Sequence, residues 1–326
     1  MSGELITVFG GSGFVGKYVV RDLCRKGYRV RVAVRNPHVA GDQRLAGDVG
    51  QVQIVQANVR NRPSIERAVE GAYAVINLVG ILYEKGAQTF NGTQELGAKN
   101  VAEIAAAEGV QHFVHMSAIG ADKNSEARYA QTKADAEEAV RAHMPNAVII
   151  RPSIIFGQED EFFNRFADMA KTVPVLPSIG GGTTKFQPVY VGDVAKAIVS
   201  AIETPDAAGR VFELGGPETY TFKEVLEYIL ETTDRKALLL PLPFWLAGLI
   251  GLIMGGLFKL WPFSGPPLTN DQVQMLKTDN VVNTEDDTLG TFRDLGMIEL
   301  ETVESIVPEY LWRYRTNGQF HEPSQA

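Results

Sequence analysis

Leu5-Ile6-Thr7-Val8-Phe9-Gly10-Gly11-Ser12-Gly13-Phe14-Val15-Gly16 decides the fold. The apolar run Leu5 to Phe9 reads as a buried strand, and a helical pattern of apolar residues runs from Phe14 to Lys26. Between them stand glycines at 10, 13 and 16. Gly10 lets the chain turn sharply out of the strand, and Gly13 lets backbone N–H groups approach a pyrophosphate. Gly16 lets the helix pack closely on the sheet, which places an anion at the helix N-terminus, with Ser12, Phe14 and Val15 forming the rest of the cradle. A glycine triplet alone would be weak evidence. Between a strand and a helix, at the start of a βαβ unit, it points to a dinucleotide site; the alternative is a tight turn with no ligand.

Strands and helices alternate outward from this stretch. Strands are expected at Tyr28–Val34, Gln53–Gln56, Ala74–Leu78, His112–Met116 and Ala147–Arg151. Helices are expected at Ser64–Glu70 (capped by Ser64), Ala98–Glu108 and Tyr129–His143. Gly27 is the stop signal of the first helix. After Pro152 proline and glycine become frequent and the elements shorten. The expected fold is therefore α/β: a Rossmann doubly wound parallel sheet with a smaller, mostly helical C-terminal domain on the substrate side. The nucleotide-binding domain is expected over 1–151, rejoined by 186–215, and the smaller domain over 152–185 and 216–326.

The chain has 326 residues, a formal net charge of −8 and one cysteine, Cys24. The acidic balance argues against nucleic acid as a partner. A single cysteine suits a reducing compartment. The first strand is expected to begin by about Leu5, leaving no room for a signal or transit peptide, so the expectation is either a bacterial, cytoplasm-facing chain or one already processed. The five histidines are scattered, with His112 and His115 on opposite faces of one strand, so no metal site is expected. Glu159-Asp160-Glu161 reads as a solvated loop, Gly180-Gly181-Gly182 as a flexible turn, and Glu84 as a residue with a small claim to be a base near a nicotinamide.

The second strand of such a fold normally ends in a carboxylate that binds the ribose 2′-OH of NAD. Here it ends in Arg35-Asn36-Pro37. A guanidinium there suits a 2′-phosphate, so NADP(H) is favoured over NAD(H), against a merely solvated arginine. Asn58-Val59 stands where the adenine would be contacted, and Leu78-Val79-Gly80 beside the ribose and pyrophosphate. Tyr129 and Lys133 lie four apart on a helix and so share a face. The ammonium can lower the phenol pKa and hold the nicotinamide ribose, leaving the tyrosine as a general acid.

This set resembles the extended, atypical branch of the short-chain dehydrogenase/reductase superfamily over nearly the whole chain. Arg151-Pro152-Ser153-Ile154-Ile155-Phe156-Gly157 looks like the turn beside the nicotinamide in that branch, which adds Pro152 and Ile155 to the cofactor contacts. Val191-Gly192-Asp193-Val194-Ala195 and Phe212-Glu213-Leu214-Gly215-Gly216 look like its later signatures. Active members carry a Ser or Thr just past the fifth strand that polarises the substrate oxygen. Here that position falls on Ala118, with Ser117 one residue early and beside the cofactor. Loss of such a donor costs about a hundredfold or more in rate. Tyr129 and Lys133 are therefore either a working acid pair or a cofactor clamp, and turnover stays open.

Residues 244–263, from Phe244 through Trp261 to Phe263, carry one charge, Lys259, and a Gly251-x-x-x-Gly255 spacing. Three placements are open: a membrane span, a helix inside the smaller domain, or a segment docked on a membrane surface or in an apolar partner groove. With Arg35, the Tyr/Lys pair lacking its serine, and the run 156–164, this segment is similar to a family of nucleotide-binding accessory subunits of respiratory complex I, alpha subcomplex subunit 9. The resemblance implies a tightly held, structural NADPH without independent turnover. It implies association with complex I core subunits, the NADH:ubiquinone oxidoreductase of the respiratory chain. It further implies a peripheral position on the inner membrane, on the cytoplasmic face in a bacterium or the matrix side in a mitochondrion, with 244–263 facing membrane or partner. The alternative is a cytoplasmic NADP-dependent reductase or a sugar-nucleotide epimerase or dehydratase of the extended short-chain type.

Overall fold

The computed structural model describes residues 3–258 and 268–320. The chain forms two compact units, one of residues 1–152, 191–214 and 283–298, the other of 153–190, 215–282 and 299–326.

The first unit is built on β1 (Leu5–Phe9), β2 (Arg29–Val34), β3 (Val52–Gln56), β4 (Ala74–Asn77), β5 (His112–Met116) and β6 (Val148–Pro152), with α1 (Phe14–Arg25), α2 (Arg62–Val69), α3 (Leu96–Ala107) and α4 (Arg128–His143) between them. With the strand Val211–Leu214 these make a seven-stranded sheet in the order Val211–Leu214, β6, β5, β4, β1, β2, β3. Every pairing in it is parallel. Such a sheet is covered on both faces, which is why its central strands read as continuous apolar runs. Ile6, Val8, Val30, Val32, Val75 and Ile76 are fully buried.

α1 buries Val15, Val19, Val20 and Leu23 and ends before Gly27, whose φ of 86° only glycine adopts without cost. α2 is capped by Asn61, whose Oδ1 accepts the Ser64 N–H at 3.0 Å, with proline in the first turn. The expected cap, Ser64, lies inside the helix instead. Its hydroxyl donates back to the Asn61 carbonyl at 2.7 Å and accepts the Asn58 N–H at 3.0 Å.

Residues 283–298, expected in the smaller domain, belong to the first unit for a backbone reason. Gly290 donates to the Val211 carbonyl at 2.7 Å, and its own carbonyl accepts from Glu213 N–H at 2.9 Å. The segment thereby covers the open edge of the strand Val211–Leu214, which would otherwise present unpaired donors and acceptors. A Cβ at Gly290 would stand 2.4 Å from the Phe212 ring, so only glycine fits there.

The second unit holds a core of aromatic rings: Phe162, Phe166, Phe186 and Phe222 meet edge-on or tilted with centroids 5.3–6.2 Å apart. Strands Val175–Ile179 and Leu238–Leu242 pair in parallel. The helix Phe222–Thr233 starts in a capping box made by Thr221 and Glu224. Two expectations are corrected in this unit. Asp160 is buried, not solvated: it accepts N–H groups of Gly157, Phe162 and Asn164 and the Tyr310 hydroxyl at 2.6 Å. Gly180–Gly182 is a packed turn, all three at positive φ, where a Cβ at 180 would meet the Phe244 ring at 2.3 Å.

The helix Phe244–Phe258 follows, and residues 259–263 of the apolar segment lie outside the described residues. No described helix is long and apolar enough to cross a membrane. One face packs on the helix Asn270–Met275, where a Cβ on Gly251 would come within 2.8 Å of the Asn270 nitrogen; at Gly255 no atom of the described residues lies within 4 Å. Among the described residues only Gly251 of the Gly-x-x-x-Gly spacing serves a close approach. Trp245, Leu249, Leu252 and Ile253 are exposed on the same helix.

In the first unit a Cβ on Gly16 would stand 2.3 Å from the Gly10 carbonyl oxygen, whereas one on Gly13 would stand 3.2 Å from it. Gly16→Ala is expected to cost about 2 kcal/mol or more in urea unfolding, and Gly13→Ala clearly less.

Candidate functional site

Strand order reverses between β1 and β4, so the connections from these neighbours leave toward opposite sides of the sheet and open a crevice at their C-terminal ends. Gly10 to Gly16 leaves β1 at that end, Leu78–Gly80 leaves β4, Arg35 leaves β2, Asn58–Val59 leaves β3, and Ser117 leaves β5. Topology thus gathers them along one edge.

The cradle is made of backbone. Gly10 sits at φ 80° and donates to the Ala33 carbonyl at 3.2 Å, which ties the turn to β2. Gly13 donates to the Gly10 carbonyl at 2.9 Å and serves as the N-cap of α1 with no side chain in the way. The first turn of α1 contains no acidic residue. Its N–H groups and its dipole are open to an anion. Ser12 and Phe14 are half-buried, and Val15 is buried beneath them. At the end of β2, Arg35 is exposed; its carbonyl accepts from Gln56 Nε2 at 3.4 Å. Asn58 caps the turn after β3 through Oδ1 and the Arg60 N–H at 3.1 Å, and Val59 is buried behind it.

At the end of β4, the Val79 N–H donates to Asn77 Oδ1 at 3.2 Å. That leaves the Asn77 amide NH2 as the donor to His115 Nδ1, 3.2 Å away on β5. His115 therefore carries its proton on Nε2, a buried atom with no partner among the described residues. Burial, with the Lys133 charge adding to it, pushes the imidazole pKa down to about 3, so the ring is neutral at any physiological pH.

Lys133 is the unusual group. It lies on α4, fully buried, and donates to the Met116 carbonyl at 3.0 Å. Its Nζ stands 3.5 Å from where a Cβ on Gly80 would be, so the absence of a side chain at Gly80 leaves the ammonium room beside the end of β4. Tyr129, one turn back, is half-buried, with its ring 5.8 Å from Lys133 Nζ and edge-on to Phe90 at 6.0 Å. The Ser117 hydroxyl is buried without a partner among the described residues. Burial pulls the Lys133 pKa down to about 8, and Glu137 opposes the shift. Glu137 itself is engaged: Arg151 holds it through two parallel hydrogen bonds of 2.8 and 2.7 Å and reaches Glu213 at 3.5 Å.

This arrangement was only partly visible from motif spacing. Arg151 is tied up in an ion pair, and Pro152 is the last residue of β6, beside Leu214. Ile155 belongs to the second unit, in a two-residue strand paired with Val189–Tyr190. Glu84 Oε1 accepts the Phe90 N–H at 2.8 Å and so shapes the loop after β4 rather than standing free as a base. Motif reading did not single out Gln94, which lies in one turn of π-helix before α3. It joins that loop to α4, donating to the Ile81 carbonyl at 2.7 Å and accepting from Thr132 Oγ1 at 3.1 Å. A π-turn leaves no spacing signature in a sequence.

Residues 2–245 match the model of the NmrA-like family. The mouse protein called NADH dehydrogenase [ubiquinone] 1 alpha subcomplex subunit 9, mitochondrial, is 37% identical over 97% of this chain and 82% of its own. A ceramide reductase from Caulobacter vibrioides is 31% identical over 73% of this chain and 74% of its own. Among solved structures, an NADPH-dependent quinone oxidoreductase from Escherichia coli, complexed with NADPH, superposes with a TM-score of 0.71. It is 18% identical and covers 94% of this chain and 99% of its own. The fold is that of NAD(P)-binding proteins.

Below about pH 8 Lys133 is charged in both the folded and the unfolded chain, and its burial cost is fully felt. Between about 8 and its ordinary 10.5 the unfolded chain binds the extra proton, so this group makes stability rise with pH. Lys133→Met is expected to raise the melting temperature at pH 7 by removing a cost on the order of 3 kcal/mol. It should also flatten the rise between pH 8 and 10.5, which thermal melts across that range would read.

Proposed function

The chain belongs to the NmrA-like family and, with its mouse relative, to the alpha subcomplex subunit 9 family, and on that premise we propose that it is an NADPH-binding accessory subunit of the membrane-bound NADH:ubiquinone oxidoreductase, complex I. The observation that carries this reading is the pairing of a complete nucleotide cradle with an incomplete catalytic set. Gly10, Gly13 and Gly16 leave backbone N–H groups open at the start of α1. Arg35 stands uncovered at the end of β2, where a carboxylate would repel a 2′-phosphate.

In this reading Ser12, Phe14 and Val15 line the pyrophosphate, Asn58 and Val59 the adenine, and Leu78, Val79 and Gly80 the adjoining ribose. Ser117, Tyr129, Lys133 and Pro152 attend the nicotinamide half. The residues fit the group: Lys133 is a buried donor bonded to the Met116 carbonyl, and Ser117 offers a hydroxyl without a partner among the described residues. Bound NADPH would supply a hydride donor. The side chain at 118 is a methyl, so the protein offers no hydroxyl there to polarise an acceptor. Tyr129 and Lys133 then serve as a clamp that orients the ribose, and the nucleotide is structural. The exposed apolar face of the helix Phe244–Phe258 faces the membrane surface or core subunits of the complex, at the membrane that holds them.

A second reading, an NADP-dependent reductase or a sugar-nucleotide epimerase or dehydratase, is favoured by one observation. Tyr129 and Lys133 keep the one-face geometry of a working pair.

Tagged protein withdrawn from native membranes in mild detergent should migrate on a native gel with complex I core subunits and carry one NADPH per chain. A soluble protein without those subunits would overturn the proposal. Tyr129→Phe should leave assembly and bound NADPH unchanged; under the second reading it abolishes turnover. Arg35→Asp should weaken NADPH retention about tenfold to a hundredfold while leaving the melting curve of the apoprotein in place. Unchanged retention would refute the NADPH assignment.

A further inference from the structure

The first unit has a second opening, at the other end of its sheet. A cleft of about 400 Å³ is lined by Leu5, Arg29, Arg31, Arg44 and Gln53, among others. Leu5, Arg29 and Val52 are the first residues of β1, β2 and β3, whereas Gly10, Arg35 and Asn58 lie past their last. A strand of this length separates the two ends by roughly 15 Å, so the cleft is distinct from the nucleotide crevice.

Register explains how the arginines meet. In the parallel sheet Leu5 stands beside Arg29, and Arg31 beside Gln53. Neighbours in register point to one face, and residues two apart along a strand do so as well. Arg29 and Arg31 therefore share a face at the start of the sheet, and Arg44 joins them from the segment Pro37–Ala46 after β2. In a chain of net charge −8, no carboxylate is among the described residues that line this cleft, although the Glu70 charge is felt at Arg31.

What the side chains have left over is donors. Arg31 is held in place: its Nε donates to Gln53 Oε1 at 3.2 Å, and one terminal nitrogen donates to the Ala68 and Glu70 carbonyls, each at 2.8 Å. The Gln53 oxygen is thus occupied, and its amide N–H groups remain. Among the described residues Arg29 donates only Nε, to the Gly3 carbonyl at 2.6 Å, and Arg44 has no hydrogen bond or ion pair. Two exposed guanidiniums with few or no protein acceptors, a third that is anchored, and an amide NH2 give a cleft whose described side chains offer donors and no free acceptor. Such forks match the oxygens of a phosphate group. Its volume is that of a small-ligand site. We propose that this cleft binds a phosphate-bearing small molecule, independently of the nucleotide held at the opposite end of the strands.

The test is calorimetric titration of the full chain, with NADPH in excess, using inorganic pyrophosphate and glycerol 3-phosphate as probes. One equivalent is expected to bind, with affinity falling as salt rises. Arg29→Ser combined with Arg44→Ser should weaken it about tenfold or more. Both arginines are exposed, and an unaltered melting curve would establish that the double variant folds. Binding that survives the double variant, or none up to about 10 mM probe, would overturn the proposal. So would capture of phosphatidic acid vesicles through Arg29 and Arg44 without binding of either small probe, since the phosphate would then belong to a lipid surface.

Discussion

The first unit depends on one close approach, that of α1 to the turn leaving β1. The first turn of the helix lies so near Gly10 that residue 16 has no room for a side chain. That proximity does two things at once. It seals the core beneath Val15 and Val19, and it aims the first N–H groups of the helix at the open end of β1. Packing and anion binding are thus one constraint. The Gly10 bond to the Ala33 carbonyl carries it to β2, at whose end Arg35 stands.

Legibility follows sequence distance. The strand–glycine–helix unit, Arg35, and the strand starts and ends to within a residue or two could be read directly, because each is a local pattern. The sheet and the NAD(P)-binding fold followed from it. What could not be read depends on partners far along the chain. Asp160 looked like one of three solvated acids, yet it is satisfied by three backbone N–H groups and by a tyrosine 150 residues away. Residues 283–298 carry no motif, and only the hydrogen bonds of Gly290 show that they close a sheet edge. In the Gly251/Gly255 pair, local spacing is present, but among the described residues the neighbour that uses it faces Gly251 alone.

Charge burial in the first unit follows a consistent logic. Glu137 is nearly as deep as Lys133 and only four residues from it, yet its oxygens are turned to Arg151. Arg151 in turn reaches Glu213, whose second oxygen accepts the Asn283 N–H at 2.9 Å. The two carboxylates and the guanidinium satisfy one another, whereas the ammonium of Lys133 is left with a carbonyl. A buried cation without a dedicated carboxylate is costly in the folded chain. It is the kind of stored cost that a bound ligand can relieve.

The exposed side chains of the helix Phe244–Phe258 bear on how the newly made chain is handled. Trp245 is 71% exposed and Leu252 65%, and no acidic residue occurs from Arg235 to Asn270 to keep like surfaces apart. A chain released alone from the ribosome would show the same features by which chaperones and proteases recognise unfinished proteins. Its abundance would then be set by whether and how quickly that face is covered, and copies left uncovered would be cleared while the fold itself stays intact.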